Sequence, residues 1–181
     1  TLRTLMNSSP VKIHLLPGGI LPERKTAGAG AFDIFARAIV SPDEMDPQRP
    51  FLRKTLFDFE NNEAMELDYR LEPDESVLVG IGFVTEMEFP LTYKICRRSG
   101  LSSKRIMVMN NDTIIDSDYR GEAGVLLQNR SDDSFLLKKG MRIAQIKFEF
   151  AVIPDLIEIF SYNELSQTER GAKGFGSTGI K

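Results

Sequence analysis

Residues 110–122 run Asn110-Asn111-Asp112-Thr113-Ile114-Ile115-Asp116-Ser117-Asp118-Tyr119-Arg120-Gly121-Glu122. Polar residues lead into β-branched ones, Asp116 follows, a polar turn closes on Tyr119, and Gly121 precedes the apolar run Val125-Leu126-Leu127. The pattern predicts a β-hairpin with one acid at its mouth and one aromatic on its return arm. Such a hairpin can offer main-chain N–H and C=O groups to the edge of a planar base, leaving the side chains at its ends for sugar and water. An Asp and a Gly in a turn also serve turn geometry alone, so the stretch by itself leaves both readings open.

Outward from it, short β-type runs bounded by Gly, Pro, Asn and Asp recur at 11–16, 31–40, 76–85, 91–97, 106–109, 124–128, 142–151 and 156–160. Strands this short and evenly spaced predict an all-β sandwich or barrel rather than βαβ units. A short helix is expected at 99–104 and a further turn within 163–169. Residues 41–70 differ, being polar and punctuated by Pro42 and Pro47 while carrying Phe51, Leu56, Phe57 and Phe59. They are expected to be an insertion on the surface that either packs its phenylalanines on the domain or binds a protein partner. The tail after Glu169 holds Gly171, Gly174, Gly176 and Gly179, too many glycines to order itself cheaply, so residues 170–181 are expected to be a flexible arm on a single domain of residues 1–169. Glycines also let main-chain N–H groups approach an anion, so the arm could instead be a phosphate-cradling lid.

Composition narrows the function. The 181 residues suit one domain with a real core. With 26 acids against 23 bases the net charge is -3, which argues against binding long nucleic acid. Cys96 is the one cysteine, so no intrachain disulfide forms and a reducing compartment is expected. His14 is the one histidine, which argues against a histidine metal site or a Ser-His-Asp triad. No stretch reaches membrane-spanning length and Thr1-Leu2-Arg3-Thr4 has no signal-peptide pattern, so the expected location is the cytoplasm, that of the host if the chain is viral.

Five segments in order resemble the motifs of the trimeric deoxyuridine triphosphatases (dUTPases): Ala29-Gly30-Ala31-Phe32-Asp33-Ile34-Phe35-Ala36, Arg98-Ser99-Gly100-Leu101-Ser102-Ser103-Lys104, the 110–122 stretch, Gly140-Met141-Arg142-Ile143-Ala144-Gln145, and the glycine-rich tail. The chain departs from the family at Arg97, where a proline is usual, at Thr113, where a glycine is usual, and at Met141, where an acid is common. Thr113 would disturb a backbone that needs φ > 0 or a close approach of the base. Residues 41–70 have no counterpart in compact members.

The resemblance implies a β-clip or distorted jelly roll with one short helix and a flexible C-terminal arm. It implies a homotrimer with shared active sites, hydrolysing dUTP at the α-phosphorus with Mg2+ held chiefly by the triphosphate and waters. Asp116 then matches the general base, Tyr119 the ring under the deoxyribose, and Asn110 the uracil-contacting position. Arg98, Ser99, Gly100 and Gln145 match phosphate contacts, while Arg142 is expected in a structural or interface ion pair. Asp33 matches an acid near the metal's water shell. In the tail, Arg170, Gly176 and Ser177 would reach phosphates and Phe175 would stack on the base. Two alternatives stand beside this reading: a nucleotide-gated regulator acting through 41–70, and a dCTP deaminase, which needs an acid where Leu126 stands.

Overall fold

The computed structural model describes residues 10–61 and 67–172. Thirteen strands account for most of its regular structure: β1 (Lys12–Leu15), β2 (Phe32–Phe35), β3 (Ala38–Asp46), β4 (Arg49–Asp58), β5 (Asp68–Leu71), β6 (Ser76–Gly80), β7 (Phe83–Glu86), β8 (Leu91–Cys96), β9 (Ile106–Val108), β10 (Ile114–Ile115), β11 (Gly124–Asn129), β12 (Phe135–Lys138) and β13 (Arg142–Phe150). One α-helix, α1 (Ser99–Ser102), occurs among the described residues. The all-β expectation therefore holds, and the architecture is jelly-roll-like.

A four-stranded sheet in the order β10-β8-β13-β2 and a five-stranded sheet in the order β4-β3-β6-β11-β9 carry the core, with two-stranded sheets β1-β7 and β12-β5 beside them. Ile34, Ile95 and Ile146 of the first sheet form one buried cluster with Val79, Ile106, Val125 and Leu127 of the second. Fully buried aliphatic side chains of this size contribute roughly 1.5–3 kcal/mol each, so this cluster dominates the packing.

Two expected strands prove to be four, because the chain changes sheets within each. In 31–40, Ala36 donates its N–H to Met141 beside β13, while Arg37 donates to Gly80 at the end of β6. In 76–85, Gly82 turns at φ 79, and the backbones approach so closely there that a Cβ on Gly19 would lie 1.9 Å from the Gly82 carbonyl oxygen. A side chain at either position would force the crossing apart.

Segment 41–70 is not a loop over most of its length. β3 and β4 form a long hairpin whose register shifts three times, placing β4 at the edge of the five-stranded sheet. Its phenylalanines pack in part: Phe59 is buried and Phe57 meets Phe59 and Tyr69 edge-on, whereas Phe51 is exposed.

The chain divides into two compact units, Thr1–Ala151 and Val152–Lys181. In the second unit, Tyr162–Glu164 forms a 3-10 turn, capped by Ser161, whose hydroxyl accepts from the Asn163 N–H while Glu164 accepts from the Ser161 N–H. The strand expected at 156–160 does not form: those residues are irregular, with Leu156 and Phe160 more than nine-tenths exposed.

Candidate active site

The 110–122 stretch is not a self-paired hairpin. Its inbound residues Ile114 and Ile115 form β10 by pairing with Lys94 and Tyr93 of β8, and its outbound arm stays irregular until β11, which pairs with β6 and β9. The N–H of Asp112 and the carbonyl of Thr113 are both taken by Ile95, so β8 supplies the partners that a hairpin arm would have supplied. The left-handed residue of the approach is Asp112, at φ 64. Thr113, in the position where a glycine is usual, is absent from the positive-φ residues, so its substitution meets no backbone strain.

The Arg97 departure is matched locally. Its N–H, which a proline would lack, donates to Asn111 Oδ1 at 2.8 Å. Met141 sits half-buried against the core, after Gly140 at φ 70.

Asn110, Thr113, Ile114, Ile115, Asp116, Tyr119 and Gly124 line one cavity of about 300 Å³, with Leu78, Ile95, Ala123 and Arg53 completing its wall. Asp116 is exposed at the surface, whereas Tyr119 is half-buried and packs on the core. The phenol of Tyr119 donates to the Glu122 carbonyl at 3.2 Å. A Cβ on Gly121 would fall 2.5 Å from that hydroxyl, so glycine is required there by the closeness of the ring. The Asn110 amide donates to the Gly124 carbonyl at 2.9 Å and accepts from the Leu126 N–H at 2.8 Å, which pins the approach to β11. A larger groove of about 750 Å³, lined by Val11, Ile13, Phe32, Phe148 and others, holds none of the expected site residues. Chemistry rather than size selects the smaller cavity.

A second group of expected residues lies elsewhere. Asp33 on β2, Gln145 on β13 and Cys96 on β8 stand side by side across three strands. Asp33 Oδ1 accepts from Arg98 Nε at 2.9 Å and Oδ2 lies 3.5 Å from Arg142 Nη1. Gln145 Nε2 donates to the Arg97 carbonyl at 3.1 Å. Ser99 and Gly100 form the exposed first turn of α1 itself. None of Asp33, Arg98, Ser99, Gly100 and Gln145 lines the Asp116 cavity within one chain. Burial, with the Asp112 carboxylate next in size, pushes the Cys96 thiol up, consistent with an inert cysteine. Burial also pushes up the phenol of Tyr93, the strand partner of Ile115, against a smaller opposing hydrogen bond with Thr85. Arg170 belongs to the second unit, and Phe175, Gly176 and Ser177 lie outside the described residues.

Sequence reasoning missed three residues here. Glu122 is fully buried and binds Arg37 through Nε at 2.7 Å and Nη2 at 2.9 Å. Its oxygens also accept the N–H groups of Gly82 and Arg53, at 3.1 and 3.2 Å. Arg53 comes from β4 of the β3–β4 hairpin. The signal for the buried pair was Arg37 itself, one charge inside the apolar run Ala36-Arg37-Ala38-Ile39-Val40, which demands a counter-charge.

No group of three or more His, Cys, Asp or Glu side chains suited to a metal ion occurs among the described residues. None of the described helices is long and apolar enough to cross a membrane.

The dUTPase family model matches residues 64–179. A deoxyuridine 5'-triphosphate nucleotidohydrolase of Nautilia profundicola is 49% identical over 113 residues, covering 62% of this chain and 78% of that protein. One from Brucella melitensis is 35% identical over 170 residues, covering 93% of this chain and 90% of the relative. Among solved structures, a dUTPase of Staphylococcus bacteriophage 80alpha with dUpNHpp superposes with a TM-score of 0.69 at 22% identity, covering 96% of this chain and all of that one, a likeness of fold.

Proposed function

The chain belongs to the dUTPase family, and from that premise we propose how its residues divide the work of hydrolysing dUTP to dUMP and pyrophosphate. The observation that carries the reading is the convergence of Asn110, Asp116 and Tyr119 on one small cavity. Asp116 takes a proton from a water as that water's oxygen bonds to the α-phosphorus. The bond from that phosphorus to the bridging oxygen breaks, and pyrophosphate leaves with the electron pair. Tyr119, held from below by the Glu122 carbonyl, forms the floor under the deoxyribose, where a 2′-hydroxyl would have no room. Asn110 spends its amide on β11 and so holds the approach rigid for main-chain contact with uracil.

Arg98, Ser99, Gly100 and Gln145 we assign to the triphosphate. Their separation from the Asp116 cavity within one chain supports a site completed by a neighbouring copy, in a homotrimer of the kind general in the family. Arg170, Phe175, Gly176 and Ser177 we assign to phosphates and base, on the resemblance of the glycine-rich tail to the family's fifth motif.

Magnesium is general to dUTPases, and the scattered carboxylates here fit an ion held chiefly by the triphosphate and water. Bound there, the ion would neutralise phosphate charge. Asp33 would reach the metal's water through the lone pair that each of its oxygens keeps beyond its arginine partner. A reducing cytoplasm suits the lone thiol.

Neither alternative is favoured. Leu126, on a strand between β6 and β9, supplies no proton shuttle for deamination. Among the described residues of 41–70, the packing implies no partner.

Pyrophosphate release from each deoxynucleoside triphosphate and from UTP, with magnesium, tests the reading: dUTP should be the preferred substrate by a wide margin. Asp116→Asn should still bind nucleotide and lose on the order of 10²- to 10⁴-fold in turnover. Turnover within a few-fold of the parent would remove Asp116 from the base position.

A further inference from the structure

We propose that Arg53, on the β3–β4 hairpin, is a positioning residue for Tyr119 and thereby sets how strongly the site prefers a deoxynucleotide to a ribonucleotide. The inference rests on the reading of Tyr119 as the floor beneath the sugar. The hairpin lies outside residues 64–179, which the family model matches.

The geometry is a shared acceptor. Arg53 Nε donates to the Glu122 carbonyl oxygen at 2.9 Å, and the Tyr119 phenol donates to the same oxygen at 3.2 Å. A carbonyl has two lone pairs and accommodates both donors. The charge-assisted bond is the shorter and stronger of the two, so the guanidinium locates the oxygen and the phenol follows it.

The guanidinium is itself anchored. Its Nη1 donates to the Pro42 carbonyl at 2.9 Å and to the Ser41 carbonyl at 3.4 Å, both on β3. Residue 122 is held a second time through the backbone: its N–H donates to the Phe51 carbonyl at 2.8 Å, and its carboxylate accepts the Arg53 N–H. β4 thus grips the end of the loop that bears Asp116 and Tyr119, and Arg53 and Tyr119 share one cavity wall.

With Gly121 already pressed against the ring, a small displacement of the Glu122 carbonyl moves the phenol and with it the space below C2′. Discrimination by shape is sensitive at this scale, where one carbon's worth of room changes selectivity about 10- to 200-fold.

The test uses the full chain. Parent, Arg53→Ala and Arg53→Lys are compared by kcat and KM for dUTP and for UTP, alongside thermal melts. For Arg53→Ala the ratio of kcat/KM on dUTP to that on UTP should fall on the order of 10-fold, with KM for dUTP rising more than kcat falls. Arg53→Lys keeps one cationic donor, reaches fewer of the acceptors, and should restore part of the ratio. A residue that merely stapled the hairpin would lower both substrates alike, so an unchanged ratio overturns the proposal.

Should Arg53→Ala fail to fold, Tyr119→Phe decides the matter, because it deletes only the phenolic anchor. A lowered ratio supports the shared acceptor, and an unchanged one refutes it. Failure of the parent to release pyrophosphate from dUTP would instead defeat the assigned activity, which separates that outcome from failure of the inference alone.

Discussion

Two arginine–carboxylate clusters flank the chemistry of this chain, and they differ in access to water. In one, Glu122 is fully buried, paired with Arg37 and saturated by two further main-chain donors. In the other, Asp33 faces Arg98 and Arg142, whose side chains are 28% and 38% exposed. A sealed pair has no route by which to exchange partners, and its ions stay together because neither can be hydrated. A pair at the surface can trade one partner for an incoming phosphate at modest cost. The same two functional groups therefore act as a fixed strut in the first case and, in the function proposed above, as a ligand site held ready in the second.

The largest effect should come from breaking the sealed pair. Glu122→Gln leaves Arg37 charged and buried without a counter-ion, which costs about 3–5 kcal/mol. For a chain of this length that corresponds to a fall in melting temperature on the order of 10 °C. Removing both charges with Arg37→Met and Glu122→Leu should recover only part of the loss, since the N–H groups of Gly82 and Arg53 would then lack an acceptor. Full recovery in the double variant would mean that the pair, and not the whole network, holds the loop.

Part of the cavity lining was legible in the sequence: Asn110, Asp116 and Tyr119, singled out by residue type and spacing, line it together, whereas Arg98 does not. The hairpin β3–β4 was not legible. Its pairing slips register at Ile39/Val40, Val40/Met45 and Met45/Asp46, which destroys the alternation by which strands are recognised. Pro42, Pro47 and Pro50 add the look of a loop. Residues 156–160 mislead in the opposite sense, apolar and β-prone yet irregular. Arg53 and Glu122 escaped notice because a charged residue beside a turn or on an edge strand ordinarily faces solvent, and only the fold brings these two together.

Opening the second cluster should leave the fold nearly intact and weaken substrate binding. Arg98→Ala keeps Arg142 beside Asp33, so its melting curve should stay close to that of the parent. Its KM for dUTP should rise roughly 10- to 100-fold, the range expected when a hydrogen bond to a charged group is lost. Affinity for dUMP, which lacks the outer phosphates, should change much less. A melting loss as large as that of Glu122→Gln would erase the distinction between the two clusters.

The smallest effect belongs to a partly exposed group, Lys94–Glu149–Lys147, at 3.0 Å for each ion pair. Hydrogen bonds from Lys94 and then Lys147 hold the Glu149 carboxyl below its ordinary value of 4.5, and Glu149 holds Lys94 above 10.5. Glu149's contribution to stability is therefore present above its unfolded value and is lost as pH falls through its folded one. That of Lys94 is present below 10.5 and is lost as pH rises past its folded value. Melting curves between about pH 7 and pH 3 should be slightly less pH-dependent for Glu149→Gln than for the parent. A difference comparable with the Glu122 effect would contradict the rule that burial decides what an ion pair contributes.

The pairing of β2 with β13 also sets a clock. Arg142 and Asp33 are separated by 109 positions, and at roughly 5–20 residues per second a ribosome takes about 5–20 s to travel that far. Throughout that interval β2 lacks its neighbour in the sheet, and the Asp33 carboxylate has at most Arg98 of its two arginine partners. Nascent chains halted between residues 100 and 140 should consequently be cut by protease near Phe32, and chains released after Phe150 should resist.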